Sequence, residues 1–159
     1  MANRTETPDL LTAMASVDHW LMLAITTALV GAAVFLHYEA LERVNYSIQS
    51  WRLGQRPRVL VLICFIMALH IAEIWIFGIG IYLAAQFPNL GHIAGAEPLM
   101  LLDAIYVSAV TFTTVGYGDL TPDGPIRLIL GTEALTGFVL VTWSASFTYL
   151  EMQRYWRPR

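Results

Sequence analysis

The sequence predicts an all-α integral membrane protein with three membrane-spanning helices and one shorter helix that enters the membrane without crossing it. Hydrophobic residues make up 57% of the 159 residues and charged residues 13%, whereas soluble domains carry about 25% charged residues. Three apolar stretches reach the roughly 20 residues that a helix needs to cross a bilayer. They span residues 20–36, 59–87 and 126–150.

Composition also limits the classes of function. All nine basic residues are arginine and the net charge is −3, so no basic surface for nucleic acid is expected. The single cysteine, Cys64, cannot form an internal disulfide. The sequence has no histidine-rich helix, no Gly-x-Ser-x-Gly element and no acidic pair at catalytic spacing. We therefore predict that the protein is not an enzyme, and no soluble partner is indicated.

Residues 1–37 are interpreted as an N-terminal extracellular segment followed by the first membrane span. Three acidic residues and one arginine precede the apolar stretch, whereas a signal peptide begins with basic residues. We therefore expect a permanent span. Its Gly31-Ala32-Ala33 run permits another helix to approach closely, and we expect this span to pack at the periphery, near the second one.

Residues 38–57 are predicted to form a cytoplasmic amphipathic helix. Its apolar residues recur at helical spacing, at Leu41, Val44, Ile48 and Trp51. A basic helix that carries tryptophan lies in the plane of the membrane interface, and an ordinary connector is the alternative. Gly54 and Pro57 are expected to end it before the second span.

The arginines predict the orientation of the spans. Seven of the nine lie between the first two spans or after the third, and positively charged loops stay in the cytoplasm. The N-terminus is therefore expected outside the cell membrane and the C-terminus, with its short tail at residues 152–159, inside. We expect no cytoplasmic ligand-binding domain. No span carries arginine at every third position, so no voltage sensor is expected.

Residues 113–119 read Thr-Thr-Val-Gly-Tyr-Gly-Asp. Glycines at alternate positions allow backbone conformations that a residue with a Cβ atom resists, so successive carbonyls can point to one side. Four copies around an axis would form rings of oxygens that replace the hydration shell of a cation. The Thr114 hydroxyl would join them, while the side chains of Val115 and Tyr117 pack outward. The predicted ion sites use the carbonyls of Thr114, Val115, Gly116 and Tyr117.

The short apolar stretch at residues 99–112 explains how such a strand could sit at membrane depth. Non-helical backbone is tolerated there only where protein or water surrounds it. Pro98 suits the start of a helix, and a half-helix would aim its partially negative C-terminal end at a cation. The order of short helix, glycine strand and exit loop is that of a re-entrant pore.

Residues 110–119, Val-Thr-Phe-Thr-Thr-Val-Gly-Tyr-Gly-Asp, resemble the signature of potassium channels. Residues 58–151 resemble the pore module of bacterial two-transmembrane potassium channels, to which this chain adds an N-terminal transmembrane helix. The resemblance implies an outer helix, a turret, a pore helix at 99–112, a selectivity filter at 113–119 and an inner helix at 126–150. It also implies a homotetramer in a lipid bilayer, K⁺ as the transported ion, no organic cofactor and a prokaryotic source.

The resemblance implies roles for residues around the filter. Asp119 matches the carboxylate at the extracellular mouth, and Thr113 and Gly118 complete the filter. Tyr106 falls where the family usually has a tryptophan that bonds this carboxylate, and a phenol can donate the same bond. Val110 falls where one bacterial relative has a glutamate, so inactivation through a Glu–Asp pair is not expected.

The inner helix holds the candidates for gating. Gly137 falls at the family's hinge glycine if one deletion is allowed, and an ordinary packing glycine is the alternative. Below it, three residues share one helix face and are candidates for the cavity wall and the cytoplasmic constriction, or else face lipid. They are Val141, Ala145 and Tyr149.

Ionisable groups within spans are candidates for function. His70 and Glu73, three residues apart, share a helix face and can pair, toward either the inner helix or the first span. Glu133 has three interpretations: a neutral carboxyl bonded to the pore helix near Ser108 or Thr111, a partner of His70 or Glu73, or a titrating group that makes opening pH-sensitive. A metal site of His70, Glu73 and Glu133 is a weaker hypothesis. The remaining histidines, His19, His37 and His92, are interpreted as span flanks and turret.

The leading functional hypothesis is a potassium-selective channel with pH modulation as a further option. The alternatives are a weakly selective monovalent cation channel and a proton-coupled transporter that uses the intramembrane carboxylates. Transporters usually contain internal repeats, and the sequence shows none. A non-conducting accessory subunit would not need an intact filter.

Overall fold

The computed structural model describes residues 17–48 and 54–155. Four helices dominate this part of the chain: α1 (Val17–Ser47), α2 (Gln55–Ala84), α3 (Leu101–Phe112) and α4 (Arg127–Tyr155). A 3₁₀ turn at Pro88–Leu90 and two short strands, β1 (His92–Ala94) and β2 (Thr121–Asp123), complete it. Three helices, α1, α2 and α4, are long and apolar enough to cross a membrane, and α3 is a shorter apolar helix. The predicted all-α membrane class is confirmed.

Helix α1 corrects the prediction for residues 38–57. It runs without a break to Ser47, because no glycine or proline interrupts residues 38–47. The apolar stripe that predicted an interfacial helix is buried instead against α2. The buried residues form one apolar cluster. It contains Ala40, Leu41 and Val44 of α1, Ile48 directly after it, and Leu62, Ile66 and Leu69 of α2. The prediction of a separate helix in the interface plane is therefore wrong for residues 38–48, and Trp51 lies outside the described residues.

The N-terminal half of α1 packs on α2 as expected, but through a glycine other than Gly31. A Cβ atom added to Gly31 would meet nothing within 4 Å, whereas one added to Gly80 of α2 would lie 2.5 Å from Leu29 Cδ1. The tip of the Leu29 side chain therefore packs directly on Gly80. Ala33, two residues after Gly31 in the predicted run, is fully buried.

Helix α3 begins two residues later than predicted. The Asp103 carboxylate accepts a hydrogen bond from the Met100 amide at 2.9 Å, and such a bond fixes the start of a helix. Pro98 therefore precedes the helix. Gly78 of α2 lets the two backbones nearly touch, because a Cβ atom there would lie 2.8 Å from Ile105 Cα. This contact holds α3 against α2.

The two strands join the segments before and after α3. They pair antiparallel, with Ile93 opposite Pro122, and Ile126 N donates to Leu90 O at 2.8 Å. The sequence did not predict this small sheet. It closes a loop around α3 and the residues that follow it, so both ends of the re-entrant segment are anchored.

The long helices differ from their predicted bounds at the ends. Helix α2 begins at Gln55 and ends at Ala84, so Pro57 lies in its first turn, where proline is tolerated. Helix α4 continues to Tyr155, five residues beyond the predicted end. Glu151 is buried there and pairs with Arg154. Residues 152–155 of the predicted short tail therefore continue α4.

Candidate functional site

The segment at residues 113–119 follows directly from the last turn of α3. Its backbone has positive φ at every second residue, 59° at Thr114, 53° at Gly116 and 77° at Gly118. Glycine adopts this region freely, but a threonine there costs about 1–3 kcal/mol and persists only where its surroundings impose it. Alternation of this kind turns successive peptide units, so that carbonyls which would point to opposite sides of a strand can share one side.

Hydrogen bonds to α3 hold the start of the segment. Thr114 N donates to Thr111 O at 2.9 Å and Gly116 N donates to Val110 O at 3.0 Å. The Thr113 hydroxyl donates to Ala109 O at 2.7 Å. The two amide bonds use carbonyls near the helix end, and Ala109 O accepts the Thr113 hydroxyl in addition to the Thr113 amide. Within residues 17–48 and 54–155, no backbone amide bonds to the carbonyls of residues 114–117.

The side chains of the segment are exposed in the single chain. Val115 is 53% exposed and Tyr117 is 72% exposed. A Cβ atom added to Gly116 or Gly118 would meet nothing within 4 Å. The outward packing that was predicted for Val115 and Tyr117 is therefore not supplied by the chain itself.

Tyr106 and Asp119 form the hydrogen bond expected at the outer end of the segment. The Tyr106 hydroxyl donates to Asp119 Oδ2 at 2.8 Å. Because the carboxylate stabilises the neutral phenol through this bond, it raises the pKa of Tyr106 above its ordinary value. The bond joins the middle of α3 to the residue that ends the glycine strand.

Glu133 lies behind the segment and is fully buried. Ser108 of α3 contacts its Oε1 atom and donates to Ile74 O at 2.8 Å. The hydroxyl therefore connects α3, α2 and α4 at one point. Of the three interpretations of Glu133, the contact with Ser108 matches the first, a carboxyl bonded to the pore helix.

Gly137 lies one turn below Glu133, where α4 passes the end of α3. An added Cβ atom would lie 2.9 Å from Phe112 Cα and closer still to its carbonyl oxygen. The position therefore serves as a packing glycine in this structure. The hinge function stays a prediction.

The three gating candidates on α4 are exposed in the single chain. Val141, Ala145 and Tyr149 line one side of a groove of about 420 Å³, and Ile63 and Met67 of α2 lie on the other. The groove is open, so these side chains are free to face a cavity or another chain. Their assignment to the pore wall stays a prediction.

His70 and Glu73 form the predicted pair, with His70 Nδ1 2.8 Å from Glu73 Oε2. The interpretation of His37 as a span flank is wrong. His37 is 0% exposed, and its Nδ1 atom lies 2.8 Å from Glu73 Oε1. The pair therefore faces the first span. The buried residues of α1 include Ala33, His37, Ala40 and Val44, and this helical spacing was a signal in the sequence that could have identified His37.

The metal site hypothesised from His70, Glu73 and Glu133 is not assembled in this form. The carboxyl of Glu133 contacts Ser108, and the group that comes together contains His37 with His70 and Glu73.

Comparisons with known proteins bear on the region that contains these features. Residues 59–153 match a family described as ion channel. Protein LctB of Geobacillus stearothermophilus is 37% identical over 67 residues, which are 42% of this chain and 50% of that protein. Protein LctB of Bacillus caldotenax is 42% identical over 57 residues, which are 35% of this chain and 42% of that protein.

A third similar protein carries a functional name. Inward rectifier potassium channel Kirbac3.1 of Paramagnetospirillum magnetotacticum is 40% identical over 63 residues, which are 39% of this chain and 21% of that protein. The chain thus spans half or less of the length of the curated relatives that it matches. No solved structure matches it significantly.

Proposed function

The chain belongs to the ion channel family, and we propose that it is a potassium-selective channel subunit that works as a homotetramer. The observation that carries this proposal is the alternating positive φ at Thr114, Gly116 and Gly118. A backbone of this form can offer its carbonyls to a dehydrated cation, as potassium channel filters do. K⁺ is accordingly the transported ion, bound at residues 114–117.

The exposed side chains of the filter support the proposed assembly. One chain supplies one filter segment, and a ring of carbonyls at each level needs four. Val115 and Tyr117 are large, apolar or aromatic, and exposed in the single chain. Neighbouring subunits would cover them and hold the ring at a fixed diameter. The similarity to a protein named as a potassium channel supports K⁺ as the ion.

The proposed orientation places the filter at the outer face of a prokaryotic plasma membrane. By the positive-inside rule, the cytoplasmic side holds the arginines around the α1–α2 connection, at positions 43, 52, 56 and 58, and those at positions 154, 157 and 159. The N-terminus then lies outside and the C-terminus inside. Asp119 would stand at the extracellular mouth, and α3 would direct the partially negative end of its helix toward the cavity.

We propose that α4 contains the parts of the chain that open and close the pore. Gly137 is the proposed hinge, and Val141, Ala145 and Tyr149 form the proposed cavity wall and cytoplasmic constriction. Ionisation of Glu133 would draw the single Ser108 hydroxyl proton away from Ile74 O and so alter the support behind the filter, and this is the proposed route for modulation by pH.

Flux into liposomes tests the proposed function. Purified protein in liposomes loaded with K⁺ should take up rubidium when the outside is free of K⁺, and Ba²⁺ should block the uptake. Ba²⁺ is close to K⁺ in size but doubly charged, so it should bind the same carbonyl rings and leave slowly. Uptake that ignores Ba²⁺ contradicts the pore. Uptake that requires a pH gradient would favour the proton-coupled transporter instead.

Replacement of Tyr106 tests the support of the filter mouth. Tyr106→Phe removes the donor to Asp119, so rubidium uptake should fall at least severalfold. Tyr106→Trp restores a ring N–H donor and should recover most of it. Full activity of Tyr106→Phe would show that the bond is unnecessary.

The same bond predicts a direction for pH dependence. The phenol donates only while protonated, and its pKa is raised above its ordinary value of about 10. Its contribution is therefore complete at neutral pH and is lost only as the pH rises through that raised pKa. Uptake should not change around neutral pH through Tyr106, and an alkaline loss of uptake should disappear in Tyr106→Phe.

Replacement of Glu133 tests its proposed neutral state. Ser108 has one hydroxyl proton, and Ile74 O can only accept it, so a protonated Glu133 would donate to the Ser108 oxygen. Glu133→Gln keeps a donor and should preserve both uptake and thermal stability. Glu133→Ala leaves buried polar groups without a partner, which costs about 1–3 kcal/mol, and should lower the unfolding midpoint. Equal damage by both variants would argue for an ionised Glu133.

A further inference from the structure

A buried cluster of two histidines and one glutamate lies where α1, α2 and α4 meet. His37 comes from α1, and His70 and Glu73 come from α2. Each histidine places its Nδ1 atom 2.8 Å from a different oxygen of Glu73. One ligand atom from each of the three residues lies within 4.8 Å of the other two. His37 and Glu73 are both 0% exposed.

The hydrogen bonds that hold residues 113–119 do not involve this cluster. Ionisable side chains inside a membrane are costly, and apolar side chains of similar size would pack the same helices without that cost. Two imidazoles that converge on a single carboxylate from two different helices therefore need a specific explanation. Their donor set of two nitrogens and one or two oxygens is the set that borderline transition metals prefer.

We propose that His37, His70 and Glu73 bind one divalent transition metal ion of the zinc class. Zinc lies about 2.0–2.1 Å from histidine nitrogen and about 2.0–2.2 Å from carboxylate oxygen. Ligand atoms of a tetrahedral zinc ion are about 3.3 Å apart, so the 2.8 Å contacts must open by a few tenths of an ångström, while the ligand atoms that lie farther apart, up to 4.8 Å, must move together. Three protein ligands leave a fourth position for water.

The surroundings of His37 suit this function. A histidine that binds metal through one ring nitrogen usually donates its other N–H to a neighbouring oxygen, which fixes the ring. Ser144 Oγ of α4 lies 3.5 Å from His37 Nε2, on the side of the ring away from Glu73. The Trp143 ring lies beside the same imidazole, with centroids 5.1 Å apart. Ser144 is therefore placed where it could accept the second N–H of a metal-bound His37.

A route to the site also exists. The side chain of His70 is 16% exposed and lines the groove of about 420 Å³ between α2 and α4. An ion can reach His70 from that groove, and the buried Glu73 Oε2 lies 2.8 Å from His70 Nδ1. Once bound, it would link α1 to α2 directly and to α4 through Ser144. The binding site itself does not depend on the proposed channel function.

Cobalt titration of the purified full-length chain tests the site. The protein should carry no affinity tag, be stripped with a chelator, and be titrated with Co²⁺ while its visible absorption is recorded. We expect one Co²⁺ per chain with the intense bands of a four-coordinate ion, displaced by Zn²⁺. Zn²⁺ should also raise the unfolding midpoint of the stripped protein. Absence of stoichiometric Co²⁺ binding to the unaltered chain overturns the proposal.

Two histidine variants locate the ion. His70→Gln should weaken Co²⁺ binding at least about tenfold, and because His70 is partly exposed this variant should fold. His92→Gln is the matched control, since His92 is exposed on β1 and should bind as the unaltered chain does. Undiminished binding by His70→Gln, with elution in gel filtration unchanged, places the ion elsewhere and overturns the assignment. Rubidium uptake is not needed for either result.

Discussion

Gly137→Ala is expected to abolish rubidium uptake and to destabilise the protein. The added methyl group would lie 2.9 Å from Phe112 Cα and closer to its carbonyl oxygen, so α4 must move away from the end of α3. The filter begins at the next residue, Thr113. Insertion of a methyl group into a packed contact costs about 1–3 kcal/mol, and each subunit would bear that cost. Uptake and the thermal unfolding midpoint measure the two effects.

Gly131→Ala is the matched control on the same helix. An added Cβ atom there would meet nothing within 4 Å, and alanine is favoured over glycine in a helix by about 0.8–1.0 kcal/mol. Its uptake should be unchanged and its unfolding midpoint unchanged or higher. A pure hinge at Gly137 predicts lost uptake with unchanged stability, whereas a packing contact predicts that both fall. Normal uptake by Gly137→Ala would contradict the contact with α3.

Gly116→Ala is expected to remove K⁺ conduction without unfolding the protein. Gly116 has a φ of 53°, and an L-residue in this region costs about 1–2 kcal/mol. Within the single chain nothing lies within 4 Å of the added methyl group, so the strain that the chain itself imposes is conformational. Relaxation to negative φ would turn a carbonyl out of its row in every subunit. Rubidium uptake should fall more than about tenfold, while the unfolding midpoint stays close to that of the unaltered protein.

The same control variant separates conformation from volume at Gly116. Gly131 also has open space around it but lies within α4, so Gly131→Ala adds the same methyl group at an ordinary helical φ. Loss of uptake in Gly116→Ala alone would support the carbonyl filter. Full uptake in both variants would mean that the backbone of residues 114–118 does not conduct the ion.

The features that depend on local sequence could be predicted. Helices that cross a membrane need only a long apolar run, and α1, α2 and α4 were each identified in this way. The proposed filter is a contiguous motif at residues 113–119, and its alternate glycines indicated the alternating backbone. The bond from Tyr106 to Asp119 was expected from the resemblance to potassium channels, because the motif fixes the spacing between α3 and the filter mouth.

The features that depend on tertiary partners could not be predicted. The stripe that continues α1 to Ser47 suits either a membrane interface or a neighbouring helix, and only the presence of Leu62 and Ile66 opposite it decides. His37 pairs with a residue 36 positions away, so its partner is invisible to local pattern. The two strands that pair Ile93 with Pro122 are three residues long. They are too short to show the alternation of apolar and polar residues by which a strand is recognised.

The reversal potential of the current through a planar bilayer, measured with K⁺ and Na⁺ on opposite sides, tests the proposed K⁺ selectivity. The unaltered protein should be recorded with K⁺ on one side and Na⁺ on the other at equal concentration. If residues 114–117 form carbonyl rings that select K⁺, the reversal potential should lie far from zero, with the K⁺ side negative. A reversal potential near zero would show that the pore does not distinguish the two cations, and would contradict the account.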